Sequence, residues 1–228
     1  MKTDTNKPSA YYCRVCGILL LLLLISQPVW AHVVVGELEK MSVADAAMVY
    51  MGLGYKHILP LGFDHILFIL SLFLLSPKLK PVLWQATAFT VAHSVTLGLA
   101  MYHVLTPPTR IVEPVIALSI MYVALENIIS PKLKTSRIGV VFLFGLVHGM
   151  GFAGALGQLG LPKNAYLISL VMFNVGVELG QLTVILTAWF LLAKWFGNKP
   201  YYRKRIVVPL SAIIAVIAAY WTVQRLFF

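Results

Sequence analysis

Six apolar stretches of near-membrane length follow one another along this chain, and they constrain its fold more than any other feature. They run over about Leu61 to Leu75, Leu83 to Leu105, Ile111 to Ile129, Ile138 to Leu156, Ala165 to Phe196, and Ile206 to Leu226. A helix needs about 20 apolar residues to cross the hydrocarbon core. With 60% hydrophobic and only 11% charged residues, a soluble domain of this length is excluded. The expected fold is an all-α integral membrane protein with six transmembrane helices over residues 61–228. The first stretch is short and follows Pro60, and a short, proline-interrupted segment points to a binding site within a membrane. The fifth is long enough to tilt or project.

The N-terminus reads as a cleaved signal peptide over residues 1–31. Lys2, Lys7 and Arg14 supply its positive region, Gly17 to Ser26 its apolar core, and Val29-Trp30-Ala31 its small cleavage residues. Both cysteines, Cys13 and Cys16, leave with it, so no thiolate ligand remains in the mature chain. Residues 32–60 then form a periplasmic segment. In it Ser42 and Asp45 resemble a capping box, which starts a short interfacial helix near Val43 that ends at Gly52 or Gly54.

The loops fix an orientation. With a periplasmic mature N-terminus, the inner loops carry Lys78, Lys80, Lys132, Lys134, Arg137, Lys194, Lys199, Arg203, Lys204 and Arg205. The outer side carries only Lys40, Lys56, Arg110, Lys163 and Arg225. That bias obeys the positive-inside rule, leaves both mature termini periplasmic, and fits a bacterial inner (cytoplasmic) membrane. Pro77, Pro81, Pro107, Pro108, Pro131 and Pro162 fall in the expected loops. The net charge of +10 is then a topology signal, and nothing points to a nucleic-acid partner. No Gly-rich phosphate loop is present, so nothing suggests ATP hydrolysis. The lipid bilayer is the partner the composition requires, and a homo-oligomer is compatible with it.

Ionisable and polar groups inside these stretches carry the functional signal, because each costs roughly 2.5–3.5 kcal/mol on insertion unless it meets a partner, water or an ion. Asp64-His65 lies about one turn inside the first helix; either both face a cavity edge, or Asp64 orients His65 from behind, or Asp64 caps the helix beside an interfacial histidine. His93 stands near mid-membrane at the edge of a stripe of Thr87, Thr90 and Ser94. Glu126 shares a face with Ser119 and Tyr122 near an inner helix end, where the dipole disfavours an anion; it is functional or paired with Lys132 or Lys134. Glu113 sits in a first turn, as a cap or an entrance charge. Gly145 and Gly149 form a GxxxG pair that admits a neighbouring helix beside His148. Asn174, Glu178 and Gln181 make one polar stripe on an otherwise apolar helix that must face the interior. The last helix has no buried charge and only packs.

Separate structural explanations for all these groups compete badly, because several would stay unsatisfied. One shared divalent cation satisfies them together. Imidazole with carboxylate suits nickel, cobalt, zinc or copper, whereas magnesium and calcium prefer oxygen alone.

Five segments also resemble the HupE/UreJ membrane proteins, closest to the second HupE/UreJ-like group. They are Gly54-Tyr55-Lys56-His57-Ile58-Leu59-Pro60-Leu61-Gly62-Phe63-Asp64-His65-Ile66-Leu67-Phe68, Thr87 to Leu97 around Ala92-His93-Ser94, Val112-Glu113-Pro114 with Ala124-Leu125-Glu126-Asn127, Phe144-Gly145-Leu146-Val147-His148-Gly149-Met150-Gly151-Phe152-Ala153, and Phe173-Asn174-Val175-Gly176-Val177-Glu178-Leu179-Gly180-Gln181. The resemblance implies a hydrogenase or urease accessory protein that acts as a nickel or cobalt permease. Better-studied members carry a His-Pro start and a His-x-x-Gly-x-Asp-His motif. Here Ile58 follows His57, and the Gly-x-Asp-His part starts at Gly62. Asp64, His65, His93 and His148 match, and His57 is left with Glu113 as an entrance residue.

The leading expectation is therefore a secondary transporter for a divalent transition metal as substrate, nickel first. The metal would pass Asp64 and His65, rest between His93, His148 and Glu178 with Asn174 nearby, and leave past Glu126. The alternatives are an intramembrane zinc-dependent hydrolase and a haem carrier using paired histidines.

Overall fold

The structure, a computed structural model, describes residues 41–106 and 108–228. The expected signal peptide, its cleavage after Ala31, and Cys13 and Cys16 lie outside the described residues. Within them the fold is all-α, with seven long helices and no strand.

The first helix, α1 (Val43–Ile58), starts where the capping box places it. The Ser42 hydroxyl accepts the Asp45 N–H at 3.1 Å and donates to the Asp45 carboxylate at 2.6 Å. It does not stop at Gly52 or Gly54 but runs through Ile58. Gly54 serves a different purpose. A Cβ there would collide with the Phe173 carbonyl, and one on Gly176 would collide with that of Met51. The two glycines therefore let α1 and α6 touch backbone to backbone, as small residues do between membrane helices.

A turn at Leu59–Gly62 bends the path by 68° into the short α2 (Phe63–Leu75). α3 follows over Leu79–Met101. It begins before the expected Leu83 and takes in Pro81, which is tolerated because first-turn N–H groups have no helical partner. α4 (Thr109–Ile129) starts ahead of the expected Ile111, so Glu113 falls in its second turn and cannot cap it. α5 is Arg137–Leu159. α6 (Tyr166–Ala188) continues through a π-helical turn, Trp189–Ala193, to Phe196. A second π-helical turn, Arg203–Val207, leads into α7 (Val208–Phe227).

Three helix pairs carry most of the packing: α1 with α6, α3 with α5, and α4 with α7. The expected Gly145/Gly149 crossing knits the second pair. Cβ atoms at those positions would meet the carbonyls of Phe89 and His93. α2 touches α1, α3, α4, α6 and α7 and so occupies the middle. Its Phe68, Ile69, Leu72 and Phe73 are fully buried. Large apolar side chains such as Leu143, Phe190, Trp195 and Val216 point outward, as lipid-facing residues do.

Four helical runs are long and apolar enough to cross a membrane: Thr109–Ile129, Arg137–Leu159, Lys163–Phe196 and Arg203–Phe227. The bent pair Val43–Ile58 and Phe63–Leu75 qualifies jointly as a broken span and makes a fifth. The protein is a multi-pass membrane protein. α3 falls short of the six-span expectation despite its 23 residues, because its polar stripe lowers its hydropathy.

Candidate metal centre

His57 closes α1, His65 opens α2 and His93 lies midway along α3. Three elements thus bring one imidazole each to a common point. One ring nitrogen from each lies within 4.8 Å of the other two. Ring centroids are 4.6 Å apart for His57 and His65, 6.0 Å for His65 and His93, and 6.2 Å for His57 and His93. Nitrogens that share one metal at about 2.0–2.1 Å stand at most about 4.2 Å apart, close to the bound the triad keeps.

His148 on α5 stands beside this triad, its ring centroid 5.3 Å from that of His65. The Nε2 atoms of His57, His65, His93 and His148 are all buried and find no hydrogen-bond partner among the described residues. Buried polar atoms are nearly always paired. Three such imidazole nitrogens at one point, with a fourth beside them, are donors of the kind a borderline transition metal takes.

The other ring nitrogens show how the lone pairs are aimed. Asn174 Nδ2 donates to the Leu170 carbonyl at 2.8 Å, which turns Asn174 Oδ1 toward His93. His93 Nδ1 lies 3.2 Å from that oxygen, so it carries the proton and leaves the Nε2 lone pair free. His148 Nδ1 donates to the Phe144 carbonyl at 2.8 Å with the same result. Such partners fix ring orientation in metal sites.

Aromatic rings wall the centre. Phe152 lies 3.8 Å from His57 by ring centroids, Phe89 lies 4.8 Å from His148, and Phe68 lies 5.3 Å from His148. Phe173 stacks on Phe152 at 5.1 Å.

A family profile described as HupE / UreJ protein matches residues 34–225. The chain belongs to the HupE/UreJ family. No curated protein and no solved structure gives a significant match.

In this HupE/UreJ protein the three carboxylates expected on the metal path, Asp64, Glu126 and Glu178, are each held by other partners. Asp64 is held by Arg225, whose Nη2 lies 3.0 and 2.9 Å from its two oxygens. It does not orient His65. Glu126 pairs at 3.1 Å with the buried Arg137, and not with Lys132 or Lys134. Glu178 accepts hydrogen bonds from Thr87 at 2.8 Å and from Thr90. Glu113 is exposed, and its backbone carbonyl accepts from Arg225 at 3.3 Å. α7 therefore does more than pack: Arg225 reaches Asp64, and Ser211 accepts from Asn127 at 3.2 Å.

Arg137 also anchors the far end of the bundle. It donates to Asn127 Oδ1 at 3.0 Å and to the Ser71 carbonyl at 3.3 Å, and Asn127 donates to that carbonyl at 2.7 Å. The pairs at Asp64 and Glu126 thus flank opposite ends of α4. Glu113 and Glu126 stand about 20 Å apart along its axis at 1.5 Å per residue.

Two features of this HupE/UreJ site escape residue-by-residue reading. His57 belongs at its centre and not only at an entrance. The phenylalanine wall carries no polar signal, although Phe89, Phe152 and Phe173 stand inside the family-like motifs.

Proposed function

We propose that this protein is a permease for a divalent transition metal, with the His57–His65–His93 triad as its transfer site and His148 alongside. The carrying observation is the set of unpartnered, buried Nε2 atoms at the meeting point of α1, α2, α3 and α5. Membership of a family associated with hydrogenase and urease accessory roles puts nickel first and cobalt next. Zinc and copper suit the same nitrogen donors. All six apolar stretches then cross the membrane, with α1 and α2 forming one broken span and α3 held in by its pairing with α5. The basic loops face the cytoplasm.

Neutral imidazoles grip a divalent ion without cancelling its charge, so the ion binds and leaves, as conduction requires. A hydrolase needs a carboxylate or similar base beside the metal-bound water. Asp64, Glu126 and Glu178 are engaged with Arg225, Arg137 and the threonines, which argues against that role.

The test is accumulation of radioactive nickel and cobalt in cells making wild type, His57→Ala, His93→Ala or His148→Ala. Loss to the empty-vector level supports the proposal. Equal accumulation by all four, above that control, overturns it.

A further inference from the structure

Arg225 binds a residue adjacent to the triad. Its guanidinium holds the Asp64 carboxylate by both oxygens, at 3.0 and 2.9 Å, and Asp64 immediately precedes His65. The pair is not sealed: the two side chains keep 21% and 27% of their surface exposed. Beside it lies an open cavity of about 610 Å³ lined by Arg110, Glu113, Trp221, Gln224 and Arg225, among others, and Asp64 is not among the lining residues. The guanidinium lines the cavity and occupies both oxygens of the carboxylate behind it, which also keeps surface of its own open.

Arg225 also has a second place to go. Its Nη1 already donates to the Glu113 backbone carbonyl at 3.3 Å, its guanidinium lies 5.5 Å from the Trp221 ring, and the Glu113 carboxylate shares the cavity. Arg110 is the other cation there.

We infer that Arg225 is a selectivity residue: a tethered competitor cation that occupies Asp64 and yields it to a divalent metal ion but not to a monovalent one. The physics is a contest at one carboxylate. A monovalent ion offers the same charge as the guanidinium without its directed hydrogen bonds, so the arginine keeps its place. A divalent ion doubles the Coulomb attraction at equal distance and displaces it toward Glu113. The freed Asp64 then hands the ion to the neighbouring His65. The inference rests on the triad being a metal-transfer site, so the experiment separates the two.

Initial rates of radioactive nickel uptake are measured against nickel concentration in cells making wild type, Arg225→Gln, Asp64→Asn and the double variant, each normalised to protein in the membrane. Removing the competitor is expected to lower KM about threefold, the scale of one partly exposed ion pair, and to let high sodium or potassium inhibit uptake. On the Asp64→Asn background the same change is expected to do nothing, because no carboxylate remains to be covered. A KM that is unchanged or raised by Arg225→Gln, or shifted equally in both backgrounds, overturns the inference.

Arg225→Cys, in a Cys13→Ser, Cys16→Ser chain, repeats the test after folding. A thiol reagent carrying an ammonium group is expected to restore the wild-type KM, whereas one carrying a sulfonate is not. Identical effects of the two reagents overturn the inference. Failure of both Arg225 variants to reach the membrane assigns the residue to the fold and overturns it too. If histidine variants leave uptake untouched, it is the transfer-site reading that falls. If histidine dependence holds while Arg225 has no effect on KM, only the selectivity role falls.

Discussion

Asn174 holds the Nδ1 side of His93 across the α3–α6 contact, at 3.2 Å, while its own amide is turned by the Leu170 carbonyl at 2.8 Å. One side chain thus decides which nitrogen of His93 faces the centre. Asn174→Ala removes that decision without touching a ligand atom. Metal affinity of the purified protein, measured by titration calorimetry with nickel, is expected to fall about 10- to 100-fold, the range for partners that orient ligating histidines. Asn174→Gln, whose longer chain displaces the oxygen, is expected to rescue little.

The reciprocal glycines make a stability prediction. Gly54→Ala or Gly176→Ala drives a methyl group into a backbone carbonyl that cannot rotate away. Each is expected to destabilise by at least about 1–3 kcal/mol, the usual range for overpacking. Gly52→Ala is the control, with nothing within 4 Å of the added Cβ. Thermal unfolding in detergent should separate the two kinds of variant, with Gly52→Ala at or slightly above wild type.

Arg137 is 1% exposed and neutralises Glu126 inside the bundle. Arg137→Met leaves that carboxylate uncompensated, and a loss of about 3–5 kcal/mol is expected, as for other broken buried pairs. Adding Glu126→Gln should recover much of it, because the stranded charge disappears. Membrane yield and melting temperature of the three proteins are the readout.

Protons and metal compete for the same imidazole lone pairs. Acid converts a ligand into a cation, so uptake is expected to weaken as the pH falls far enough to protonate the buried imidazoles. The sign is fixed: acidification raises the apparent KM and does not lower it. Uptake rates at fixed nickel across a pH series, corrected for free metal, check this.

What the sequence discloses here is mostly what is local. The Ser42–Asp45 cap and the Gly145–Gly149 crossing depend on neighbours within a turn, and both are present where expected. The membrane character follows from composition. Gly54 misleads because a glycine weakens an isolated helix, whereas here its lost side chain admits the α6 backbone. His57 is set aside as an entrance residue because Ile58 follows it where the family-like motif has proline; the continuation of α1 to Ile58 brings its ring beside His65 and His93.

The ion pairs are less legible still. Asp64 and Arg225 stand 161 positions apart, and only the packing of α2 on α7 makes them neighbours. Lys132 and Lys134 lie nearer to Glu126 in the chain, but Arg137 opens α5 on the buried side and takes the partnership. A carboxylate in an apolar stretch announces a need for company, and the company it keeps is settled by the fold.

The glycine crossings have a mechanical consequence. Backbone against backbone locks α1 to α6 and α3 to α5 as two stiff planks, while α2 is wedged among its neighbours by side chains such as Phe68 and Leu72. His57 rides on one plank, His93 and His148 on the other, and His65 on the wedge. The histidines of the candidate site are therefore divided among three packed units, two of them tied together by Asn174 at His93 and by Glu178 at Thr87 and Thr90. A tilt of one unit against another would change how many ring nitrogens share a point without unfolding a single turn.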